Sequence, residues 1–156
     1  GIPKLSPKDI PLIAKEQREE YTLELSNHEI IKLHAISLGN PHAVLLVPDV
    51  QAALVSTLGK QISLHPSFPE QVNVGFMQVV TLQHIKLRVY ERGSGETQAC
   101  GSGAVAAAAI GCLYHQLDKH IKVTLPGGNL LVDWPEFNKP ICLTGPADFV
   151  YEGTLF

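Results

Sequence analysis

Apolar and polar residues alternate along much of the first half of the chain in the pattern of short β-strands. Such segments occur at residues 21–25, 30–38, 42–47, 72–80 and 84–91. In the last segment the alternation matches a half-buried antiparallel strand. Between the third and fourth segments, apolar residues recur every four positions from Val50 to Ile62. This spacing predicts a helix over residues 50–63, capped at Pro48-Asp49.

The second half of the chain contains an unusually apolar segment. A glycine-rich loop from Gly93 leads directly into an Ala-rich stretch, which predicts a helix over about residues 101–116. Polar residues occur only at its end, so we expect this helix to be buried on nearly all sides. Further strands are predicted at residues 121–125, 129–134, 141–144 and 149–155. This order favours an α/β (α+β) fold, with a curled, mostly antiparallel or mixed sheet around a central buried helix.

Composition then excludes several classes of function. The 156 residues suit one domain, and the charged fraction of 17% is low for a soluble protein. We therefore expect another chain or domain to cover part of the surface. The net charge of −3 gives no basic excess for a nucleic-acid backbone. Without a bilayer-length apolar run or a signal-peptide pattern, we expect a cytoplasmic protein with no membrane partner.

Familiar cofactor and metal motifs are incomplete. The three cysteines lack Cys-x-x-Cys spacing, and the seven histidines show no metal-ligand spacing, so no metal site is predicted. Gly93-Ser94-Gly95 is similar to the start of a dinucleotide loop, but Gln98 occupies the third glycine position. The Gly-x-Ser-x-Gly element of serine hydrolases is also missing, although Gly101-Ser102-Gly103 offers a serine.

Cys100 precedes the predicted apolar helix, where free N–H groups and the helix dipole stabilise negative charge. We expect this placement to lower the pKa of the thiol and favour a reactive thiolate. Gly101 and Gly103 leave room for a carboxylate to approach the backbone N–H groups directly. A base beside such an anion cradle fits removal of a proton next to a carboxylate. A buried structural cysteine at a glycine-lined turn explains the same residues.

The segment ERGSGETQACGSGAVAAAAIG resembles the second catalytic motif of diaminopimelate epimerases. SLGNPHAV, FPEQVNVGFMQVV and LPGGNLLVDW resemble the same family in the same order, so the resemblance covers nearly all of residues 37–156. It implies one lobe of that family's two-lobed fold, which proline racemases and phenazine-pathway isomerases share. It also implies a cofactor-independent interconversion of LL- and meso-2,6-diaminopimelate, in lysine and peptidoglycan precursor biosynthesis, by two opposed cysteines.

The resemblance assigns roles around the reacting carbon. Cys100 matches the second of the two catalytic cysteines, and His42 and Glu91 match residues beside the reacting centre. Charge there is implied to hold the α-ammonium and tune the thiols. The backbone N–H groups of Gly101 and Ser102 match those that bind the substrate carboxylate. The family usually has Thr at the position of Ser102, so the hydroxyl is kept.

The resemblance also assigns residues to the distal end of the substrate. Asn40 and Asn73 match substrate-binding asparagines, and Arg92 matches the arginine that grips the distal carboxylate. Without the resemblance, the asparagines are equally explained as turn formers and Arg92 as part of a solvated strand end. Tyr151 matches a tyrosine at the family's dimer interface, which implies a homodimer of the intact enzyme.

The family's first half, with the other catalytic cysteine in a Cys-Gly-Asn-Gly motif, has no counterpart in this sequence. We therefore interpret residues 21–146 as the C-terminal lobe and expect the chain alone to be inactive. Residues 1–20, with three prolines, are predicted to be a linker. Residues 147–156 are predicted to form a terminal strand that packs with the missing N-terminal lobe.

Two other hypotheses remain open from the sequence. The first is a racemase or isomerase of the same fold that acts on proline or hydroxyproline, for which the distal residues Asn73 and Arg92 would have no use. The second is a binding lobe without catalytic activity, in which Cys100 is an idle buried thiol. A substrate panel separates the first from an epimerase, and the reactivity of Cys100 separates the second.

Overall fold

The computed structural model describes residues 1–155, which form a mixed β-sheet with a helix against each face. The helices are α1 (Val55–Ser63) and α2 (Gly101–Tyr114), and a 3₁₀ turn spans Pro7–Asp9. The strands are β1 (Tyr21–Glu24), β2 (Ile30–Ser37), β3 (Pro41–Leu46), β4 (Asn73–Thr81), β5 (His84–Glu91), β6 (Gly95–Thr97), β7 (His120–Leu125), β8 (Gly128–Asp133) and β9 (Cys142–Thr144). Neither described helix has the length and apolarity needed to cross a bilayer.

The two helices connect the parallel parts of the sheet. The strands are ordered β1-β2-β3-β4-β5-β7-β8-β9, and β6 pairs with β5. β3 with β4 and β5 with β7 are parallel, whereas the other pairs are antiparallel. A parallel pair needs a crossover connection. α1 supplies it between β3 and β4, and α2 supplies it between β5 and β7, so the predicted mixed sheet is confirmed.

α2 is buried because nearly all of its side chains are small or apolar. Residues 103–111 are buried, and their run of alanines lets the helix lie close to the sheet. The helix contacts β2–β5 and β7–β9, and apolar side chains such as Ile36, Val44 and Met77 complete this core. The predicted central buried helix is therefore confirmed, although it ends at Tyr114 rather than near Gln116.

A second core lies on the opposite face of the sheet, under α1. Successive side chains of a strand point to opposite faces. Accordingly, Val44 of β3 belongs to the core around α2, whereas Ala43 and Leu45 belong to the second core. Phe76 of β4 and Ile62 of α1 are also in the second core. The sheet thus forms the middle of three layers, and both of its faces hold buried apolar side chains.

The helix predicted over residues 50–63 begins later than expected, at Val55. Arg88 of β5 explains the difference, because its Nη1 donates to the carbonyls of Val50, Gln51 and Ala53 at 2.9, 3.3 and 3.2 Å. The carboxylate of Asp49 also accepts a hydrogen bond from the backbone N–H of Gln51 at 2.9 Å. These contacts hold residues 50–53 in a turn instead of a helix.

The predicted linker over residues 1–20 is wrong for much of its length, because this segment packs on the sheet. Ile10 is fully buried and Leu12 is 7% exposed, both within the second core. The backbone of Lys4 bonds that of Ser37 in both directions, at 2.9 and 2.8 Å. The prolines therefore shape a segment whose apolar side chains are part of the fold.

The strand predicted over residues 149–155 does not form within the described part of the chain. The side chains of Phe149, Val150, Tyr151 and Leu155 are between 82% and 100% exposed. A strand needs a partner for its backbone groups, and β9, at the edge of the sheet, ends at Thr144. Phe156, the last residue of the predicted terminal strand, lies outside the described residues.

Gly59 tests the close packing of α1 on β5. An added Cβ at Gly59 would lie 2.6 Å from Cβ of Tyr90 and 3.0 Å from its Cγ. Gly59→Ala should therefore lower the free energy of unfolding by about 1–3 kcal/mol, despite the better helix propensity of alanine. Urea unfolding would measure this. Lys60→Ala, at an exposed position of the same helix, is the control, and an unchanged Gly59→Ala midpoint would contradict the packing.

Candidate active site

The residues proposed for catalysis meet where the ends of β3, β4 and β5 lie side by side, because of the directions in which these strands run. β3 and β4 are parallel and begin side by side, with His42 opposite Asn73. β5 runs antiparallel to β4, so its last residue, Glu91, lies at the same end of the sheet. The chain then returns along β6, and Cys100 becomes the N-cap of α2. Four segments that are distant in sequence thus contribute to one site.

The β5–β6 hairpin fixes the position of Glu91. Gly93 and Gly95 have φ angles of +79° and +84°, which side chains other than glycine rarely adopt. On the returning strand, the hydroxyl of Thr97 donates to Oε1 of Glu91 at 2.6 Å. Sequence reasoning missed Thr97 as a partner of the site. The paired glycines just before it were the available signal for a tight hairpin.

A chain of polar contacts links Cys100 to the sheet. Sγ of Cys100 lies 3.7 Å from Oγ of Ser102. Nδ2 of Asn40 donates to that oxygen at 3.2 Å, and Oδ1 of Asn40 lies 3.2 Å from Nε2 of His42. The amide oxygen facing the ring corresponds to the tautomer of His42 that carries its proton on Nε2 and donates it to Asn40. Three of the predicted site residues are therefore connected to the cysteine.

His42 is neutral in this network. Its side chain is 1% exposed, and burial together with the positive charge of Arg92 lowers its pKa to about 4. Desolvation is the larger cause, because a buried imidazolium loses its hydration. At neutral pH the ring thus contributes a hydrogen-bond donor rather than a charge.

The expected low pKa of Cys100 is wrong for this structure. The residue is 5% exposed, and burial raises the pKa of its thiol above the ordinary value. The backbone of Gly103 and the hydroxyl of Ser102 act in the opposite direction, whereas the carboxylate of Glu91 raises the pKa further. Desolvation of the thiolate therefore outweighs the stabilisation that a helix start provides.

Two of the three candidates for distal recognition, Asn73 and Arg92, lie next to the site but already have backbone partners. Asn73 is 4% exposed, and its amide donates to the carbonyl of Pro41 at 3.3 Å. Its Oδ1 accepts from the backbone N–H of Arg92 at 3.0 Å. The guanidinium of Arg92 donates to the carbonyl of Glu70 at 3.0 Å. Asn73 thus joins β3 to the end of β5, while the Arg92 side chain is on the exposed side.

A cavity of about 240 Å³ lies beside the first turn of α2. Its walls are mostly apolar and are formed by Gly1, Leu38, Gly101, Ser102, Val105, Ile141 and Leu143. A Cβ at Gly101 would lie 3.1 Å from Cδ2 of Leu143, so glycine at this position lets Leu143 pack closely against the start of α2. A larger cavity of about 470 Å³ is lined by Glu24, Leu25, Ser26, His28, Gln61, Leu64, His65 and Pro66, and contains none of the candidate site residues.

Tyr151 and the other two cysteines have surroundings different from those of Cys100. Tyr151 is 82% exposed, in the segment without secondary structure. Cys112 donates its S–H to the carbonyl of Asp118 at 3.1 Å, and burial raises its pKa to about 11. Cys142 is exposed on the edge strand β9. Among residues 1–155, no group of three or more His, Cys, Asp or Glu side chains could hold a metal ion.

Comparisons with known proteins identify relatives of the whole chain. The family model for diaminopimelate epimerase matches residues 34–150. The diaminopimelate epimerase of Legionella pneumophila (strain Paris) is 63% identical over 155 residues, which are 99% of this chain and 56% of that protein. The diaminopimelate epimerase of Nitrosomonas eutropha is 47% identical over 155 residues, which are 99% of this chain and 55% of that protein. The chain thus spans about half the length of the curated relatives it matches.

One solved structure shares the fold at low sequence identity. It is that of a probable proline racemase from Agrobacterium radiobacter K84, with a TM-score of 0.53 and 18% identity. The match covers 73% of this chain and 40% of that one. The fold is therefore also found in a protein described as a racemase.

His42 should make stability depend on pH. The unfolded chain takes up a proton on His42 below about pH 6.5, whereas the folded chain resists this down to about pH 4. The free energy of unfolding should thus decrease as the pH falls through this window, by about 3 kcal/mol for His42 alone. Urea unfolding of the parent and His42→Gln, which keeps a donor without titrating, would show a flatter profile for the variant. Parallel profiles would contradict the burial of a neutral imidazole.

The burial of Cys100 should also make it slow to alkylate. At neutral pH, iodoacetamide should modify the exposed Cys142 first and Cys100 much later, because the reactive species is the thiolate. Peptide mass spectrometry over time would measure the three rates, with Cys112 as the internal reference for a half-buried thiol of raised pKa. Modification of Cys100 as fast as that of Cys142 would mean that the helix start dominates over burial.

Proposed function

The chain belongs to the diaminopimelate epimerase family, as its sequence motifs predicted, and on this basis we propose that it supplies one half of an epimerase active site. The intact enzyme would interconvert LL- and meso-2,6-diaminopimelate without a cofactor, in the cytoplasm. The observation that carries the proposal is Cys100 at the start of α2, next to two backbone N–H groups and a carboxylate.

The chemistry proposed for this site is a proton transfer at the α-carbon. The thiolate of Cys100 takes the α-proton, so that the C–H bond breaks and an S–H bond forms. The electron pair moves toward the substrate carboxylate, which the N–H groups of Gly101 and Ser102 are placed to bind. These amides have no carbonyl four residues earlier within the helix. Charge that develops on the carboxylate is thereby stabilised.

The surroundings of Cys100 suit a group that must both give and take a proton. The carboxylate of Glu91 favours the thiol, and the hydroxyl of Ser102 favours the thiolate. In one direction Cys100 acts as the base, and in the other it returns a proton as the acid. His42, Asn40, Asn73 and Arg92 are proposed to position the rest of the substrate, with the Arg92 guanidinium at the distal carboxylate.

Inversion at a carbon needs a second acid or base on the opposite face. Cys112 already donates to a backbone carbonyl, and Cys142 lies exposed on β9. We therefore propose that an N-terminal lobe supplies the second cysteine, and that residues 21–146 are the complementary lobe. The exposed apolar side chains of residues 147–155 would pack against that lobe. Tyr151 would lie at the interface of an enzyme homodimer.

Exchange of the α-proton with deuterium oxide, followed by NMR, tests the half-site. The chain alone should not invert LL- or meso-diaminopimelate, and exchange should begin when a separately made N-terminal half is added. In that mixture Cys100→Ala should reduce exchange by about 10²–10⁴-fold. Cys112→Ala, which removes the half-buried thiol of α2, is the control and should keep the activity.

Each other result of this experiment points to a different function. Inversion by the chain alone would overturn the half-site proposal. Full activity of Cys100→Ala in the mixture would refute the assigned base. No exchange of diaminopimelate, with exchange of proline or hydroxyproline in the same mixture, would favour a racemase for another amino acid. No exchange of any of these, with both halves folded, would favour a binding lobe without catalytic activity.

A further inference from the structure

We propose that Ser102 is a positioning residue whose hydroxyl donates its proton to Sγ of Cys100, and that Asn40 and His42 fix this direction. The proposal rests on the proposed function only in taking Cys100 as the base. Its physical content is a hydrogen bond within this chain, which exists with or without a substrate. It assigns the Ser102 side chain a role separate from that of its backbone N–H.

The hydroxyl of Ser102 carries a single proton, and its neighbours decide where that proton points. Oγ of Ser102 accepts a hydrogen bond from Nδ2 of Asn40 at 3.2 Å. The hydroxyl proton is then directed away from that amide, because a donor faces it there. Sγ of Cys100 lies 3.7 Å from the same oxygen, within hydrogen-bond reach for sulfur. The proton is therefore available to the sulfur, and it stabilises a thiolate more than a thiol.

The orientation of the Asn40 amide is linked to the position of the proton on His42. An amide can be turned so that its oxygen and nitrogen exchange places, and only its partners decide between the two. Oδ1 of Asn40 faces Nε2 of His42 at 3.2 Å. The buried ring of His42 is held on β3, opposite Asn73 of β4. The observed orientation goes with a proton of His42 on Nε2, because a turned amide would then place two donors against each other. The proposed direction at Ser102 therefore includes this tautomer of His42.

Glu91 and Ser102 have opposite effects on the pKa of the Cys100 thiol. Glu91, at the end of β5, presents a carboxylate that favours the protonated thiol. Ser102, on α2, presents the opposing donor. Two other titratable or charged groups face this network, His42 on β3 and Arg92 after β5. The positive charge of Arg92 lowers the pKa of His42. The balance between Glu91 and Ser102 thus sets how readily Cys100 changes between its two forms.

The test measures the titration of Cys100 in the 156-residue chain. A Cys112→Ser, Cys142→Ser background leaves Cys100 as the chain's cysteine, and its rate of alkylation by iodoacetamide is followed against pH by mass spectrometry. Ser102→Ala should move the titration upward by about one pH unit and slow alkylation about tenfold below the midpoint. Ser102→Thr, which keeps the hydroxyl, should titrate like the parent.

Asn40→Asp tests the direction of the relay, because a carboxylate would take the hydroxyl proton of Ser102 for itself. This variant should also titrate at higher pH, and its effect should shrink in the Ser102→Ala background, where no hydroxyl remains to be redirected. Additive effects would mean that the Asp charge acts directly on the sulfur, and would overturn the relay.

The hydrogen bond itself is refuted if folded Ser102→Ala titrates like the parent, or if Ser102→Thr fails to restore the parent profile. Circular dichroism and urea midpoints establish that each variant is folded. Because no substrate is present, these outcomes are independent of the exchange experiment on the proposed function. An inactive mixture with a shifted titration would refute the epimerase and retain the hydrogen bond.

Discussion

Burial of α2 is the constraint on which the rest of the structure depends. A helix without a polar face is stable only when other elements cover it on almost every side. The sheet achieves this by curling from β2 to β9 around the helix, and the alanines allow the close approach. The first turn of α2 then lies among the strand ends that carry His42 and Glu91. The same packing that buries α2 therefore also positions Cys100.

Two effects compete at Cys100, and the structure shows which is larger. A helix start favours negative charge, whereas a buried site disfavours it. The pKa of the thiol is raised, so desolvation dominates in the chain described here. Neighbouring groups then adjust the balance, since Ser102 supports the thiolate and Glu91 supports the thiol. Such opposed partners would serve the proposed role of Cys100, which takes a proton in one direction and returns it in the other.

The sequence predicted those features that local periodicity encodes. The apolar α2 and the strands β1–β5 and β7–β9 follow from spacing and composition, whereas the short β6 lies in what the sequence indicated as a loop. The start of α1 did not, because Arg88, more than thirty residues away, captures the carbonyls of residues 50–53. The contact of Asn40 with Ser102 spans 62 positions and leaves no local pattern. The direction of the Cys100 pKa was likewise set by strands that bury the thiol, which only the folded chain reveals.

The burial of Cys100 also bears on its chemical durability. Peroxides oxidise the thiolate far more readily than the thiol, and they must reach the sulfur to do so. A side chain that is 5% exposed and held mainly as a thiol meets neither condition in the resting chain. As the proposed base, Cys100 would have to survive many turnovers without passing to the irreversible sulfinic state. The desolvation that keeps Cys100 as a thiol at rest thus also protects its sulfur from oxidation.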